Sequence, residues 1–404
     1  MRREERWGKT PWKVEFRPKR RALPERADFV VVGGGFAGLS AAAYLKRLAP
    51  EKSVVVLEAG ALGNGASGQT GGMALEDTAA GKLPGLGRVL AGYKRILREL
   101  GVDADLSLPG VWELSHGGRP LDDADQKVGA MRNSPIVWSD SGELRAVRRV
   151  RGGTVNPGKV VAGLARAAEE AGAQIVEHAE VREIEFTDPV RVHVRLRVGR
   201  NVQQKRIQAG NVLLATNAGA RELSGLERVG EPKLTFALAT GPLTRAQIAA
   251  LGLSSGRPFY TLDLPYLWGR LFAGNRIIFG SGLVPAFDES LPRSAGRGKL
   301  WSGLERFNAR KGEAAERLRW LEKRVRELHP VLKNVRITHR WGGPILITKD
   351  FFPIFRRHRK SNSVLVLGGF SGHGVALAVY LGKWAAEAML DLRVLPRWTN
   401  PRSA

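Results

Sequence analysis

The stretch FVVVGGGFAG, residues 29–38, decides the fold of this chain. Its four leading apolar residues predict a short buried strand, and its glycines match the pattern G-x-G-x-x-G at the start of a helical segment. Gly33 permits a tight turn, Gly35 lets the backbone approach a pyrophosphate, and Gly38 lets strand and helix pack closely. The free N–H groups at the helix start can then bind phosphates. The stretch therefore predicts a Rossmann-like dinucleotide site.

A carboxylate follows the second predicted strand of the same unit. Glu58 comes directly after the apolar run Val54–Leu57, about 20 residues beyond the glycine motif, where an acidic side chain binds ribose hydroxyls. The same carboxylate would repel the 2′-phosphate of NADP. With 49 glycines in the chain, a glycine pattern alone can match by chance. Strand, helix and acidic residue together indicate a site for NAD or FAD.

A second glycine turn favours FAD over NAD. Residues 368–374 read GGFSGHG and stand between an apolar run at 364–367 and a helical segment. The start of that helix can face the negative charge that a reduced flavin carries near N1 and O2. The glycine-rich sequence GNGASGQTGG at 63–72 follows Glu58. It either passes close to a planar ring or is an ordinary flexible loop.

The composition excludes several kinds of chemistry. The 404 residues are 43% hydrophobic, which supplies a buried core and excludes bulk disorder. The lack of cysteine excludes disulfides, thiolate metal sites, cysteine nucleophiles and a flavin attached through a cysteine sulfur. No apolar run approaches the ~20 residues of a membrane span, and no signal-peptide pattern follows the basic N-terminus. We therefore expect a cytoplasmic protein without a metal site.

The net charge is strongly positive. The chain has 64 Lys and Arg residues against 39 Asp and Glu, a formal net charge of +25. Basic residues cluster at 1–26 and at 356–360, so one interpretation is a surface for nucleic acid or anionic lipid. The other is a compositional excess of arginine, because the aromatic-interleaved basic motifs of the usual nucleic-acid modules are missing. We expect a small-molecule substrate rather than nucleic acid, and the oligomeric state stays open.

The order of the predicted elements indicates the architecture. A βαβ opening precedes a strand-rich middle, a long charged helix at 298–328, and a closing strand and helix. This order predicts an α/β fold (α+β in its two domains): a Rossmann-like FAD-binding domain of the glutathione-reductase type, interrupted by an antiparallel β-sheet substrate domain. The predicted units are an N-terminal arm at 1–26, an FAD-binding domain at 27–100, 150–232 and 340–404, and a substrate-binding domain at 101–149 and 233–339.

Five motifs occur in the order that is typical of one superfamily. They are the turn at 33–38 with Glu58, the loop at 65–72, the strand end at 215–217, the segment from Trp341 to Pro353 with Thr348 and Asp350, and the turn at 369–374. In this combination the chain resembles the FAD-dependent amine and D-amino-acid oxidase superfamily, which includes glycine oxidase and sarcosine oxidase. It is most similar to the γ-glutamylputrescine oxidase branch, whose members also have a tryptophan-containing arm before the first strand. The resemblance covers nearly the whole chain.

The resemblance assigns the parts of FAD to particular motifs. It implies that the first glycine turn holds the pyrophosphate, that Glu58 binds the adenosine ribose, and that the backbone of Val181 brackets the adenine. The loop at 65–72 would run beside the ribityl chain and the flavin, and the turn at 372–375 would lie against the pyrimidine edge. The implied cofactor-binding residues are Gly33, Gly35, Phe36, Ala37, Gly38, Glu58, Ala59, Gly65, Ala66, Ser67, Gln69, Thr70, Gly71, Gly72, Val181, Ala215, Thr216, Asn217, Gly369, Gly372, His373, Gly374 and Val375.

The chain also departs from the superfamily pattern. Some relatives attach the flavin through a Cys or through a His in the glycine loop, where this chain has Gln69 and Thr70, so the resemblance implies non-covalent FAD. Ile345 stands where glycine-oxidase-like members place an Arg that clamps the substrate carboxylate, and an alkyl chain cannot replace that clamp. Ile278 stands near the position of the oxygen-activating Lys of sarcosine oxidases, which argues against fast reaction with oxygen.

The implied reaction is oxidation of the C–N bond of a primary or secondary amine or amino acid, γ-glutamylputrescine-like or sarcosine-like. A hydride passes from the carbon next to nitrogen to flavin N5, and water hydrolyses the imine. The electrons go to O2, giving H2O2, or to another acceptor. The candidate catalytic residues of the substrate pocket are His373, Trp341 and Tyr266.

Each candidate also has a purely structural interpretation. His373, which stands between glycines, can contribute its backbone rather than a proton. Trp341, and Tyr266 together with Trp268, can form an aromatic cage for an amine or belong to the core. Arg270 on the same predicted strand is either exposed or binds an acid group.

Two other functions stay open. A tRNA-modifying flavoenzyme that cleaves a carboxymethylamino group on a base would use the same chemistry and would explain the positive charge. Against it, no second RNA-binding segment fits within 404 residues. A flavin-holding partner subunit without activity of its own would bind FAD that no amine reduces.

Overall fold

The computed structural model describes residues 7–116, 131, 133–140, 142–226, 229–263, 266–285, 308–396 and 398. In chain order its strands are β1 (Arg26–Val32), β2 (Val54–Leu57), β3 (Met73–Leu75), β4 (Val111–His116), β5 (Val137–Ser139), β6 (Glu143–Val150), β7 (Gly152–Thr154), β8 (Gln174–Val176), β9 (Ala179–Glu185), β10 (Val190–Val198), β11 (Asn201–Leu214), β12 (Gly230–Thr240), β13 (Phe259–Thr261), β14 (Trp268–Phe272), β15 (Arg276–Pro285), β16 (Ile337–Thr348), β17 (Ile354–His358) and β18 (Ser361–Gly368). Its helices are α1 (Phe36–Leu48), α2 (Ala66–Gln69), α3 (Val89–Glu99), α4 (Pro157–Glu170), α5 (Arg221–Ser224), α6 (Arg245–Ala250), α7 (Gly312–Leu328) and α8 (Gly374–Met389). Among these described helices, none is long and apolar enough to cross a membrane.

One sheet has the parallel order of a dinucleotide-binding domain. Its strands run β17-β18-β11-β1-β2-β8, and each neighbouring pair is parallel except β17–β18. β10 and β9 extend the sheet from β11 as an antiparallel meander. Strand β1 is apolar on both faces, as expected for a parallel strand that is covered on both sides. Val31 packs with α1, α3, α4 and α8, whereas Val30 and Val32 pack with the meander.

Both predicted glycine turns lie at the same edge of this sheet. β1 and β18 are parallel to β11, so their carboxyl ends point the same way. α1 begins shortly after β1, and α8 begins shortly after β18. This is the edge at which open parallel sheets bind nucleotides.

The second sheet is antiparallel apart from one pair. Its order is β16-β12-β15-β14-β13-β4-β6-β5, and β13 and β4 are parallel. Phe259 and Phe279 on one face pack against α7 through residues such as Leu321. Trp341 and Ile278 belong to a separate cluster on the other face. The helix that the sequence predicts at 298–328 is observed from Gly312 onward, and 298–307 lies outside the described residues.

The two sheets confirm the predicted α/β fold with a Rossmann-like sheet and a second, antiparallel sheet. The strands also show how the chain passes between them. β12 and β16, which both belong to the second sheet, contain the predicted domain boundaries at 232/233 and 339/340. The boundaries themselves stay a prediction about folding units.

The segment before β1 packs on its own chain, a question that the sequence leaves open. Lys19 N–H donates to Glu169 of α4 (2.8 Å), and Gln174 donates to the carbonyl of Ala22 (2.7 Å). Trp7 and Trp12 are buried. The described part of the predicted arm, from residue 7 onward, is therefore anchored by these hydrogen bonds and by two buried tryptophans.

Candidate active site

The first glycine turn has a shape that side chains would block. Gly33 has a φ of +113°, and a Cβ there would lie 2.7 Å from the carbonyl oxygen of Ala215. A Cβ on Gly38 would lie 2.0 Å from the carbonyl oxygen of Gly33. Gly35 precedes α1 and has no side chain that could cap the helix. The turn therefore leaves room for a ligand at the positive end of α1.

Glu58 lies at the carboxyl end of β2, directly beside this turn. Its carboxylate accepts hydrogen bonds from the backbone N–H groups of Gly34 (2.9 Å) and Gly60 (2.8 Å). The N–H of Ala179 donates to the Glu58 carbonyl (2.8 Å), which ties β2 to β9, the strand of the buried Val181. The structure thus brings the predicted ribose and adenine residues together.

The loop at 65–72 lies against the start of α1. Its short helix α2 places Ser67 so that the hydroxyl accepts a hydrogen bond from Phe36 N–H (3.0 Å). Gly71 lies against the ring of Trp268, which a Cβ at that position would approach to 2.1 Å. The carbonyl of Gly72 accepts a hydrogen bond from Arg270 (3.1 Å). The loop therefore bridges the first glycine turn and the second sheet.

The second glycine turn meets the end of β11. Gly369 has a φ of +64°, and its N–H donates to the side chain of Asn217 (3.0 Å). Asn217 itself has a φ of +48°, a left-handed conformation that asparagine tolerates better than most residues. The predicted residues at 215–217 and 369–375 therefore form one contiguous surface.

His373 immediately precedes α8 within this surface. Its ring is partly buried, and Nδ1 lies 3.3 Å from the Ser371 carbonyl. Burial lowers the pKa of His373 below its usual range, against the opposing effects of the Ser371 carbonyl and Asp77. Its surroundings therefore favour the neutral imidazole.

Two buried oxygens test whether the site fits FAD. Within the described residues, Gln69 Oε1 and Thr216 Oγ1 are buried and have no hydrogen-bond partner. Buried polar atoms are normally hydrogen-bonded, and both of these lie in segments that the sequence assigns to the cofactor. The glycine turns leave no room for a Cβ at Gly33 and Gly38. The two oxygens add hydrogen-bonding groups that no protein atom uses. The residues present therefore fit a bound dinucleotide such as FAD.

The candidate catalytic residues lie at different depths. Trp341 is only 1% exposed, and its indole N–H donates to the carbonyl of Gln69 (2.9 Å). Tyr266 is partly buried, and its carbonyl accepts hydrogen bonds from Ser281 (2.6 Å) and Arg324 (3.1 Å). Burial raises the pKa of the Tyr266 phenol, and the nearby Glu113 adds to this effect. The catalytic roles of Trp341, Tyr266 and His373 stay predictions.

Arg270 is not exposed, so that interpretation of the sequence is wrong. It is 3% exposed and donates to the carbonyls of Gly72 and Val155. On β14, Gly269 contacts Phe259 and so lies on the face that packs against α7. Because side chains alternate along a strand, Arg270 lies on the opposite face. Burial lowers its pKa to about 10. Arg270 holds the end of the loop at 65–72.

Sequence reasoning missed two features of the site. Trp12 donates its indole N–H to the carbonyl of Gly68 (2.8 Å), a contact that no local pattern records. Glu113 of β4 is 3% exposed and makes short contacts with Tyr260 and Arg148. Its neighbours Trp112 and Leu114 pack towards α7, so Glu113 lies on the opposite face of the sheet. An acidic residue between the apolar residues Trp112 and Leu114 was the available signal.

A Rossmann-like sheet that presents two glycine turns and the carboxylate of Glu58 at one edge, beside an antiparallel sheet, defines a two-domain dinucleotide-binding protein. Residues 28–388 match the model of the family described as FAD dependent oxidoreductase (DAO). The chain belongs to this family.

Relatives of known function support the class of reaction. The chain is 27% identical to a gamma-glutamylputrescine oxidoreductase from Escherichia coli over 395 residues, which cover 90% of this chain and 83% of the relative. It is 22% identical to a glycine oxidase from Bacillus licheniformis over 399 residues, covering 93% and 96% of the two chains. The chain is an FAD-dependent oxidoreductase of the amine and amino-acid oxidase type, and FAD is its cofactor.

Solved structures show the same fold. The L-proline dehydrogenase from P. horikoshii has a TM-score of 0.65 at 22% identity and covers 93% of this chain and 97% of its own. The glycine oxidase from Geobacillus kaustophilus has a TM-score of 0.65 at 19% identity, with 92% and 96% covered. The fold that the sequence motifs indicate is therefore confirmed.

Proposed function

We propose that the enzyme oxidises the C–N bond of a primary or secondary amine whose far end is polar, of the γ-glutamylputrescine type. The observation that carries the proposal is the buried Glu113 on the face of the second sheet that also carries Tyr260 and Arg270. Glu113 contacts Tyr260 and Arg148, and Arg270 donates to the loop, so the face is polar although it is buried. Such a face suits a substrate with a polar far end. The 27% identity to a gamma-glutamylputrescine oxidoreductase supports this choice.

When bound, FAD would supply the redox chemistry, a two-electron oxidation of the C–N bond in which the nitrogen proton goes to solvent. Water would then hydrolyse the resulting imine to a carbonyl compound and ammonia from a primary amine, or an amine from a secondary one. The chain binds the dinucleotide through the turn at 33–38 and Glu58. The start of α8 presents backbone N–H groups and the positive end of a helix to developing negative charge. Burial lowers the pKa of His373, which disfavours a positive charge that would repel a cationic amine.

The substrate carboxylate clamp of glycine-oxidase-like enzymes has no counterpart at Ile345, which is partly buried on β16. An alkyl side chain offers no hydrogen bond to a carboxylate. A simple α-amino acid bound through that clamp is therefore disfavoured against a longer amine. Non-covalent attachment of FAD also belongs to the proposal, since the chain has no cysteine and has Gln69 and Thr70 in the loop.

The surroundings of Ile278 bear on the electron acceptor. Ile278, near the position of the sarcosine oxidase lysine, is fully buried among Trp12, Trp341 and two alanines. This apolar packing supports slow reduction of O2 and a second acceptor. A cytoplasmic location stays a prediction from the sequence.

The test is an anaerobic titration of the purified yellow protein, in which loss of flavin absorbance is followed with γ-glutamylputrescine, free polyamines, sarcosine and D-amino acids. We expect γ-glutamylputrescine to bleach the flavin at the lowest concentration. Ile345→Arg should improve bleaching by α-amino acids, which supplies the matched comparison. Reduction by sarcosine or D-amino acids alone would contradict the proposal, and admission of air afterwards separates an oxidase from a dehydrogenase.

Absence of bleaching by every amine in the panel would also contradict it. Two alternatives would then be tested, namely a modified tRNA substrate and a flavin-holding subunit without activity of its own.

A further inference from the structure

The N-terminal arm continues the second sheet beyond its edge strand. The carbonyl of Trp7 accepts a hydrogen bond from Gly342 N–H (2.9 Å), and Lys9 N–H donates to the carbonyl of Arg340 (3.2 Å). Between them, Gly8 has a φ of +84°, and a Cβ there would lie 2.2 Å from the Arg340 oxygen. β16 is the outermost strand of the sheet, so the arm covers backbone groups of an exposed edge.

The arm then places Trp12 in contact with the loop at 65–72. Trp12 is 6% exposed. Its ring packs edge-on against Trp341, with centroids 5.5 Å apart, and against Phe272 at 5.8 Å. Its indole N–H donates to the carbonyl of Gly68 over 2.8 Å. Trp12 thus contacts the second sheet with its ring and the loop with its N–H.

Two indoles cap the end of α2. The last carbonyls of any helix lack partners within the helix, and here those of Gly68 and Gln69 face inward. The Trp12 indole N–H donates to the carbonyl of Gly68 over 2.8 Å, and the Trp341 indole N–H donates to that of Gln69 over 2.9 Å. The two donors come from the arm and from β16, and they touch each other. Loss of either indole leaves a buried carbonyl without its partner, which is costly.

Beyond Trp12, the arm contacts α4 and the start of the glycine-rich segment at 63–72. The carbonyl of Lys13 packs so closely on Gly158 of α4 that a Cβ would lie 2.1 Å from it, and Val14 lies against Gly63. The arm therefore contacts β16, the loop and α4 in turn. It joins the elements that border the cofactor site.

We propose that Trp12 is a positioning residue of the FAD site: with Trp341, it holds the loop at 65–72 in the conformation that receives the flavin. A loop that is held in place before binding loses less entropy when the ligand arrives. The arm is then part of the cofactor site, although it need not touch FAD. The inference depends on FAD binding alone and not on the identity of the amine.

The test uses Trp12→Phe, which keeps an aromatic ring and removes the N–H, and Trp12→Leu, which removes both. Three quantities are measured: the dissociation constant of FAD on reconstitution of the apoprotein, the visible circular dichroism of the bound flavin, and the melting temperature of the apoprotein. We expect the FAD dissociation constant to rise about tenfold for Trp12→Phe and further for Trp12→Leu. The flavin dichroism should change in both, because its surroundings are less ordered.

Trp320→Phe is the matched control, since Trp320 is 46% exposed on α7. It should leave all three quantities as in the parent protein. If Trp12→Phe matches this control in FAD affinity and dichroism, the proposal is wrong. A lower apoprotein melting temperature with unchanged FAD affinity would also overturn it, because the arm would then serve stability only. Trp12→Phe decides the question even if Trp12→Leu does not fold.

Discussion

Gly38 lies where α1 passes closest to the turn before it. An added Cβ would meet the Gly33 carbonyl oxygen at 2.0 Å and a methyl group of Val31 at 3.0 Å. The nearest atom belongs to the backbone, so strand and helix must separate. We expect Gly38→Ala to lower the free energy of unfolding by about 1–3 kcal/mol and to weaken FAD binding more than tenfold.

Thermal unfolding of the apoprotein and FAD reconstitution measure these two effects. For stability, Gly65→Ala is the matched control, because a Cβ at Gly65 meets nothing within 4 Å and its φ is −90°. Its FAD affinity is left out of the comparison, since Gly65 is itself assigned to the cofactor site. Equal melting temperatures for the two variant apoproteins would contradict the prediction.

His373 should make stability depend on pH. Burial lowers its pKa in the folded protein, whereas the unfolded chain has a pKa near the usual value of about 6.5. As the pH falls below that value, the unfolded chain takes up a proton that the folded protein does not, so stability falls. Apoprotein melting temperatures between pH 7.5 and pH 5 should therefore decrease, and less steeply in His373→Gln. Parallel curves for the two proteins would disprove this role of His373.

At the scale of elements, a buried ion pair joins α7 to the end of β5. Asp140, 7% exposed, accepts hydrogen bonds from Arg324 of α7 (2.9 and 2.5 Å), and His116 Nε2 lies 3.1 Å from the same carboxylate. Arg324 also donates to the Tyr266 carbonyl. Removal of one partner leaves a buried charge without compensation, so we expect Asp140→Ala to cost about 3–5 kcal/mol of unfolding free energy.

Urea denaturation measures this cost. Glu316→Ala is the comparison, because Glu316 and Arg319 form an exposed pair at 3.9 Å on the same helix, and such pairs contribute at most about 1 kcal/mol. A similar small change in both variants would show that the Asp140 pair does not stabilise the packing of α7.

The pairing of elements was only partly predictable. The alternation of apolar residues indicates β12, β14 and β15 as strands of a half-buried sheet. It does not indicate that β13 pairs in parallel with β4 or that β16 lies at the edge. Strand order depends on which surfaces fit together across the core. The period-two alternation of a strand is the same whichever strand lies beside it, so it does not indicate the order.

At the scale of the whole molecule, FAD should couple the two sheets. The loop at 65–72 contacts α1 through Ser67 and the second sheet through Trp268 and Trp341. A ligand that binds only the folded state, at 100 times its dissociation constant, adds about 2.7 kcal/mol. We expect removal of FAD to lower the melting temperature by several degrees, and added FAD to restore it in a concentration-dependent way. A melting temperature that does not depend on FAD concentration would contradict this prediction.

The sequence by itself determined the two glycine turns and, through its motifs, the class of enzyme. The reason is that these features are local: the turn at Gly33 and the close approach at Gly38 restrict residue type within a few positions of the chain. Only the tertiary structure decided which distant residues contact the loop at 65–72. Trp12 and Gly68 are 56 residues apart, and Trp341 and Gln69 are 272 apart. Contacts at such separations arise when the two sheets close on each other, and neither periodicity nor propensity encodes them.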